Sequence, residues 1–146
     1  MTRPVLYIIM RNDLDSLNMG KGIAQGSHAS NAFVKNFHRK MQENAANPSA
    51  EYESLNASFH QWENETPQGF GTVLVLEAKM EDIRHSVRTC QDRGYLAEII
   101  NDPTYPIKDG DVVHHLNLDS CAYVFVPDFG TDIDARKTLS TFNLHH

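Results

Sequence analysis

The sequence is short of the features that mark secreted and membrane proteins. It has two cysteines in 146 residues, Cys90 and Cys121, which lie too far apart for a metal-ligand motif. Two reduced, buried thiols fit a cytosolic protein better than a disulfide does. No apolar run approaches the length of a membrane span, and the first residues lack the basic start and long apolar core of a signal peptide. We therefore expect a cytoplasmic protein without a membrane partner.

Motifs of metal and covalent catalysis are missing as well. The sequence has no His-x-x-x-His or Cys-x-x-Cys, and the adjacent His114 and His115 would point to opposite faces of a strand. It has no Gly-x-Ser-x-Gly, and the adjacent Ser27 and His28 would not face each other on a helix. Lys21 does not fit the phosphate-binding motif Gly-x-x-x-x-Gly-Lys-Ser/Thr, because the first glycine of the motif is missing and Gly22 follows the lysine. We expect no bound metal and no ATP or GTP site.

The charge is unevenly distributed along the chain. A formal net charge of −6 argues against binding nucleic acid by overall attraction. The first third of the chain is nevertheless locally basic. A solvated helix face explains such a cluster as well as a surface for a polyanion does, so charge alone leaves both interpretations open. The basic cluster consists of Arg11, Lys21, His28, Lys35, His38, Arg39 and Lys40.

Hydrophobic periodicity predicts a single α/β domain over residues 1–146. Strands are predicted at 5–10, 73–76, 95–100 and 122–126. Helices are predicted at 27–43, 49–63, 80–93 and 133–139. This order predicts a mixed central sheet of about four strands with helices on both faces. The last strand follows too short a connection for a packed crossover helix, so we expect it to pair antiparallel.

Two details of this fold prediction bear on the candidate site. The continuous apolar run at 73–76 indicates a strand that is covered on both faces. The segment 102–106 contains two prolines and is predicted to be a loop. Residues 107–118 are expected to be irregular, with a turn at Asp109-Gly110.

Candidate site residues follow two of the predicted strands. Lys21 lies among glycines at the predicted junction between the first strand and helix, where free backbone N–H groups favour an anion. Asp102 follows the third strand, and parallel strands would bring it to the same sheet edge, with His28 lining the same cleft. Thr104 and Tyr105 add hydroxyl donors. A surface lysine, a packing histidine and a loop-capping aspartate are the alternatives.

The order and spacing of these residues resemble a known family. The chain is similar to the amino-terminal signature of the type 2 peptidyl-tRNA hydrolases, although a few extra residues lengthen the loop before Lys21. Trp62 before the second strand and Asp102 after the third extend the resemblance over most of the chain. The signature residues are Arg11, Asp13, Leu14, Lys21, Ala24, Gln25, Ser27, His28 and Ala29.

The resemblance implies a reaction, a fold and a set of site residues. It implies cleavage of the ester between peptide and tRNA, a mixed four-stranded sheet and no organic cofactor. Lys21, Gln25, His28 and Asp102 match the family pattern. The chain departs from the pattern after Asp102, where Thr104 is the candidate substitute for a family threonine and residues 105–118 look like an insertion. Counting back from Pro127 places Cys121 where a second family threonine would fall.

Three functions are consistent with these patterns. The first is hydrolysis of peptidyl-tRNA, with Lys21, His28, Asp102 and Thr104 as catalytic residues. In this hypothesis the substrate-binding residues are Gln25, Lys35, Arg39 and Tyr105. The second is a non-catalytic module that binds an anion or a peptide end, and the third is a hydrolase of a small acyl substrate. Peptidyl-tRNA is the expected partner, and the sequence leaves open whether the protein forms a homodimer.

Overall fold

The computed structural model describes residues 3–127, 139 and 142–144 as an open mixed sheet flanked by helices. The strands are β1 (Val5–Arg11), β2 (Val73–Ala78), β3 (Leu96–Asp109), β4 (Val112–Val126) and β5 (Asn143–Leu144). The helices are α1 (Met19–Ala46), α2 (Ala50–Glu63) and α3 (Met80–Asp92). The predicted single α/β domain with about four strands is confirmed, with the two-residue β5 as an addition. Among the described residues, no helix is long and apolar enough to cross a membrane.

Strand directions bring the ends of β1 and β3 together. The order across the sheet is β3-β4-β1-β2-β5, with β1 parallel to β2. As predicted, β4 is antiparallel, and it separates β1 from β3, which therefore point the same way. Cys121 of β4 pairs with Met10 of β1 on one side and with Ile100 of β3 on the other. Asp102 consequently lies just past the carboxyl end of β1, as the sequence predicted.

Alternating side chains on the central strands form two cores. Leu6, Ile8 and Met10 of β1 pack with Phe33 and other apolar residues of α1 and α2. The intervening residues of β1 pack on the other face with α3, as do the even-numbered residues 122–126 of β4. Helices therefore cover both faces of the sheet, and β1 up to Met10 and the last part of β4, residues 120–126, are buried.

The first helix begins eight residues earlier than predicted. Asn18 caps α1, because its side-chain oxygen accepts a hydrogen bond from Lys21 N at 3.0 Å. Gly22 N–H donates to the Asn18 carbonyl at 2.8 Å, so the expected open glycine loop is absent. Gly26 allows α1 to pack closely against β1, because a Cβ at this position would lie 3.3 Å from the Met10 methyl carbon.

The third strand continues through the predicted loop. Instead of an irregular segment, residues 103–118 form the outer part of a β3–β4 hairpin, named here the hairpin arm. Only the turn was predicted correctly, and Gly110 adopts a φ of 62° there. The prolines are tolerated because β3 is an edge strand and its register shifts between Asp102 and Tyr105. The helix predicted at 133–139 lies outside the described residues, apart from Leu139.

The second strand is less covered than predicted. Val73 and Leu74 are 39% and 37% exposed. β5 pairs with Leu76 and Glu77, and no described strand pairs with the outer side of the first half of β2. Continuous hydrophobicity at 73–76 therefore did not indicate burial on both faces.

Candidate active site

A carboxylate held by three hydrogen bonds forms the centre of the candidate site. Asp102 is 9% exposed. Its Oδ2 accepts a hydrogen bond from Gln25 Nε2 at 2.8 Å, and its Oδ1 accepts from Thr104 N at 2.9 Å and Thr104 Oγ1 at 3.1 Å. Burial alone would raise the pKa of Asp102, but these hydrogen bonds outweigh it and lower the pKa. The group is therefore an anion at neutral pH.

Ser120 fixes the orientation of the Gln25 amide. Gln25 is 2% exposed and Ser120 is fully buried. The Ser120 hydroxyl donates to Gln25 Oε1, which leaves the amide Nε2 to donate to Asp102. Both ends of the amide are thus occupied within the protein, and the predicted substrate-binding role of Gln25 stays a prediction. Ser120 was missed, and its only signal was a polar residue at the edge of an apolar run.

Lys21 contacts an aromatic ring and not the carboxylate. Its Nζ lies 5.3 Å from the centre of the Tyr105 ring, and the lysine is half-buried. Within the described part of the chain, no carboxylate oxygen lies within 4.0 Å of Nζ, so Lys21 and Asp102, although predicted at the same sheet edge, do not form an ion pair. Gln25, one helical turn further on, occupies the carboxylate instead. The ammonium group remains available to an anion from solution.

Tyr105 is the buried residue whose ring contacts the Lys21 ammonium group. Its side chain is fully buried, and its hydroxyl lies 3.2 Å from Ser16 Oγ. The ring has no exposed surface in this structure, and the predicted substrate-binding role of Tyr105 stays a prediction. Thr104 is exposed, but its hydroxyl is directed at Asp102.

His28 completes the polar surface around Asp102. It is exposed on α1, three residues after Gln25, and is close enough that its protonated form helps to lower the pKa of Asp102. The expectation that His28 lines the same cleft as Asp102 stays a prediction.

The early start of α1 aligns four basic side chains. Lys21, His28, Lys35 and Arg39 recur at intervals of seven, seven and four residues, which places them along one side of the helix. We call this row the basic stripe; its ends, Lys21 and Arg39, are 18 positions apart, so it spans about 27 Å. Lys40 lies outside the stripe, where it pairs with Glu43 at 3.7 Å. Glu43 is the one acidic residue of α1, and it pairs with Lys40 outside the stripe.

The nearby cysteine is not a nucleophile. Cys121 is fully buried, and burial raises the pKa of its thiol to about 12. Its Sγ lies 3.5 Å from the backbone oxygen of Gln25, so it packs beneath the site. In the described ranges, no three His, Cys, Asp or Glu side chains are grouped closely enough to hold a metal ion.

One comparison with known proteins is positive. A family model described as peptidyl-tRNA hydrolase PTH2 matches residues 4–109. The matched range runs from the start of β1 to the end of β3 and contains both Lys21 and Asp102. No curated protein gives a significant match to the chain.

Proposed function

Because the chain belongs to the peptidyl-tRNA hydrolase PTH2 family, we propose that it hydrolyses the ester bond that joins peptide to tRNA. The observation that carries the proposal is the ionised Asp102 carboxylate, held by Gln25 and Thr104 beside two basic side chains. A fixed anion can take a proton from water, and a nearby cation can stabilise the negative charge that develops on an ester oxygen.

The proposed reaction is a direct attack by water. Asp102 accepts a proton as the water oxygen bonds to the ester carbonyl carbon, and Lys21 stabilises the oxyanion. The bond from that carbon to the ribose oxygen then breaks, and the ribose oxygen receives a proton from Asp102 or through His28. The products are a peptide with a free carboxylate and a tRNA with a free ribose hydroxyl. No cofactor enters these steps.

The basic stripe supports tRNA as the leaving group. Its residues begin beside Asp102 and continue along α1 through Lys35 to Arg39, both exposed. A row of about 27 Å is long enough to contact several successive phosphates. The chain as a whole is acidic, so this local row is what can hold a polyanion. Since the substrate arises in translation, we place the reaction in the cytoplasm.

The proposal is tested with an N-blocked aminoacyl-tRNA. The wild-type protein is expected to release free tRNA, and Asp102→Asn should lower kcat by about a hundredfold or more. Asp111→Asn is the matched control, because it removes the same charge at the exposed tip of the hairpin arm. The proposal fails if the wild type releases no tRNA or if both variants behave alike. Cleavage of small acyl esters with no preference for the tRNA ester would favour the small-substrate hydrolase instead.

A further inference from the structure

The ladder between β3 and β4 is interrupted beside Asp102. The pairing passes from Asp102 opposite Leu118 to Tyr105 opposite Leu116, so the two residues between them on β3 face a single residue of β4. The first of them, Pro103, has no N–H, and the N–H of Thr104 is bound to Asp102. This bulge therefore depends on side chains to hold its peptide groups in place.

His115 binds the bulge from the side opposite Asp102. Its Nδ1 lies 3.1 Å from the carbonyl oxygen of Thr104. A carbonyl oxygen only accepts hydrogen bonds, so Nδ1 carries the proton in this contact. Leu116 is the residue opposite Tyr105, and His115 is its neighbour on β4. Because neighbouring residues of a strand point to opposite faces, the His115 side chain lies on the face of the hairpin opposite to that of Leu116 and Tyr105. Thr104 is thus held by Asp102 on one face and by His115 on the other.

We propose that His115 is a positioning residue, which holds the Thr104 carbonyl and thereby fixes the backbone conformation of Thr104, so that both Thr104 donors stay directed at Asp102. This inference rests on the proposed role of Asp102 as the proton acceptor. If the backbone rotated at Thr104, the carboxylate would lose two of its three hydrogen bonds. His115 itself contacts neither water nor ester in this role. Its loss should therefore lower kcat and leave KM unchanged.

Three variants test the role of His115 with the N-blocked aminoacyl-tRNA substrate. His115→Leu removes the donor, whereas His115→Asn can restore it because the amide nitrogen can take the position of Nδ1. His114→Leu is the matched control, because the adjacent histidine lies on the opposite face of the same strand and contacts Asp109 at 3.9 Å. We expect kcat to fall about three- to tenfold in His115→Leu and to recover in His115→Asn. His114→Leu should keep the wild-type kcat.

Nitrogen NMR of the full-length protein provides a readout that does not need turnover. At neutral pH the proton of His115 should reside on Nδ1, in both the presence and absence of substrate. A proton on Nε2 with a bare Nδ1 would overturn the proposal, as would equal losses of kcat in His114→Leu and His115→Leu. An inactive wild type with a protonated Nδ1 would instead overturn the function proposed for Asp102 and support the contact between His115 and Thr104.

Discussion

Gln25 Nε2 donates a hydrogen bond of 2.8 Å to Asp102 Oδ2, across 77 positions of sequence. This contact joins α1 to β3 and gives the first helix a direct part in orienting the carboxylate. It also explains why Lys21 is not paired with Asp102, because the carboxylate is already bound by a neutral amide. A neutral donor keeps Asp102 ionised without cancelling the positive charge of Lys21.

Removing the Gln25 amide should impair both stability and turnover. Gln25→Met keeps the length of the side chain but leaves the buried Ser120 hydroxyl without its acceptor and Asp102 without one donor. We expect a loss of about 1–3 kcal/mol in the free energy of unfolding, measured by urea denaturation. The value of kcat should fall by about tenfold or more. Gln42→Met, on the exposed side of the same helix, should change neither quantity.

Removing the Lys21 ammonium should impair turnover far more than stability. Lys21→Met should lower kcat by about 100- to 1,000-fold, the cost of losing one stabiliser of an oxyanion. The free energy of unfolding should change little, because Lys21 is half-buried and forms no ion pair with any residue that the structure describes. Lys79→Met is the control, since this exposed lysine precedes α3 and makes no side-chain capping contact. A normal kcat in Lys21→Met would exclude Lys21 from the chemical step.

Reversing two charges of the basic stripe should weaken tRNA binding. Lys35→Glu combined with Arg39→Glu should raise KM for the tRNA substrate at least about tenfold and flatten its dependence on salt, because fewer counterions are released. The control is Lys79→Glu combined with Arg88→Glu, which makes the same change in net charge at exposed positions of the α3 side. Equal effects of both pairs, or a KM independent of salt in the wild type, would count against tRNA as the substrate.

Acid should destabilise the protein through its hydrogen-bonded aspartates. The pKa values of Asp13, Asp102 and Asp119 are all lowered in the folded chain. A lowered pKa contributes stability that is present above the unfolded value of about 4 and is lost as the pH falls through the folded value. Urea unfolding between pH 6 and pH 2 should show this loss.

Asp119 gives the sharpest test of that pH dependence. Hydrogen bonds from Asn101 and Arg84 lower its pKa and tie β4 to β3 and α3. Asp119→Asn should therefore be less stable than the wild type at pH 6 and should lose less stability on acidification. A variant whose stability falls as steeply as that of the wild type would show that Asp119 does not contribute to acid unfolding.

Local patterns in the sequence determined most of the architecture. The apolar runs at 5–10 and 122–126 predicted the two central strands, because a strand buried on both faces must be continuously hydrophobic. The alternation of elements predicted the mixed sheet, and sheet direction then placed Lys21 and Asp102 at one edge. These features depend on residues a few positions apart, which is the range over which hydrophobic periodicity acts.

Only the tertiary structure decided which groups touch within that edge. The start of α1 depends on Asn18 as a cap and on Gly26 fitting against Met10, neither of which periodicity reports. The burial of Tyr105 under Lys21 depends on β3 continuing past two prolines, which an edge strand with a shifted register permits. The contacts of Asp102 join segments that are distant in sequence. Their geometry is set by strand register and helix packing, so no local pattern in the sequence could specify it.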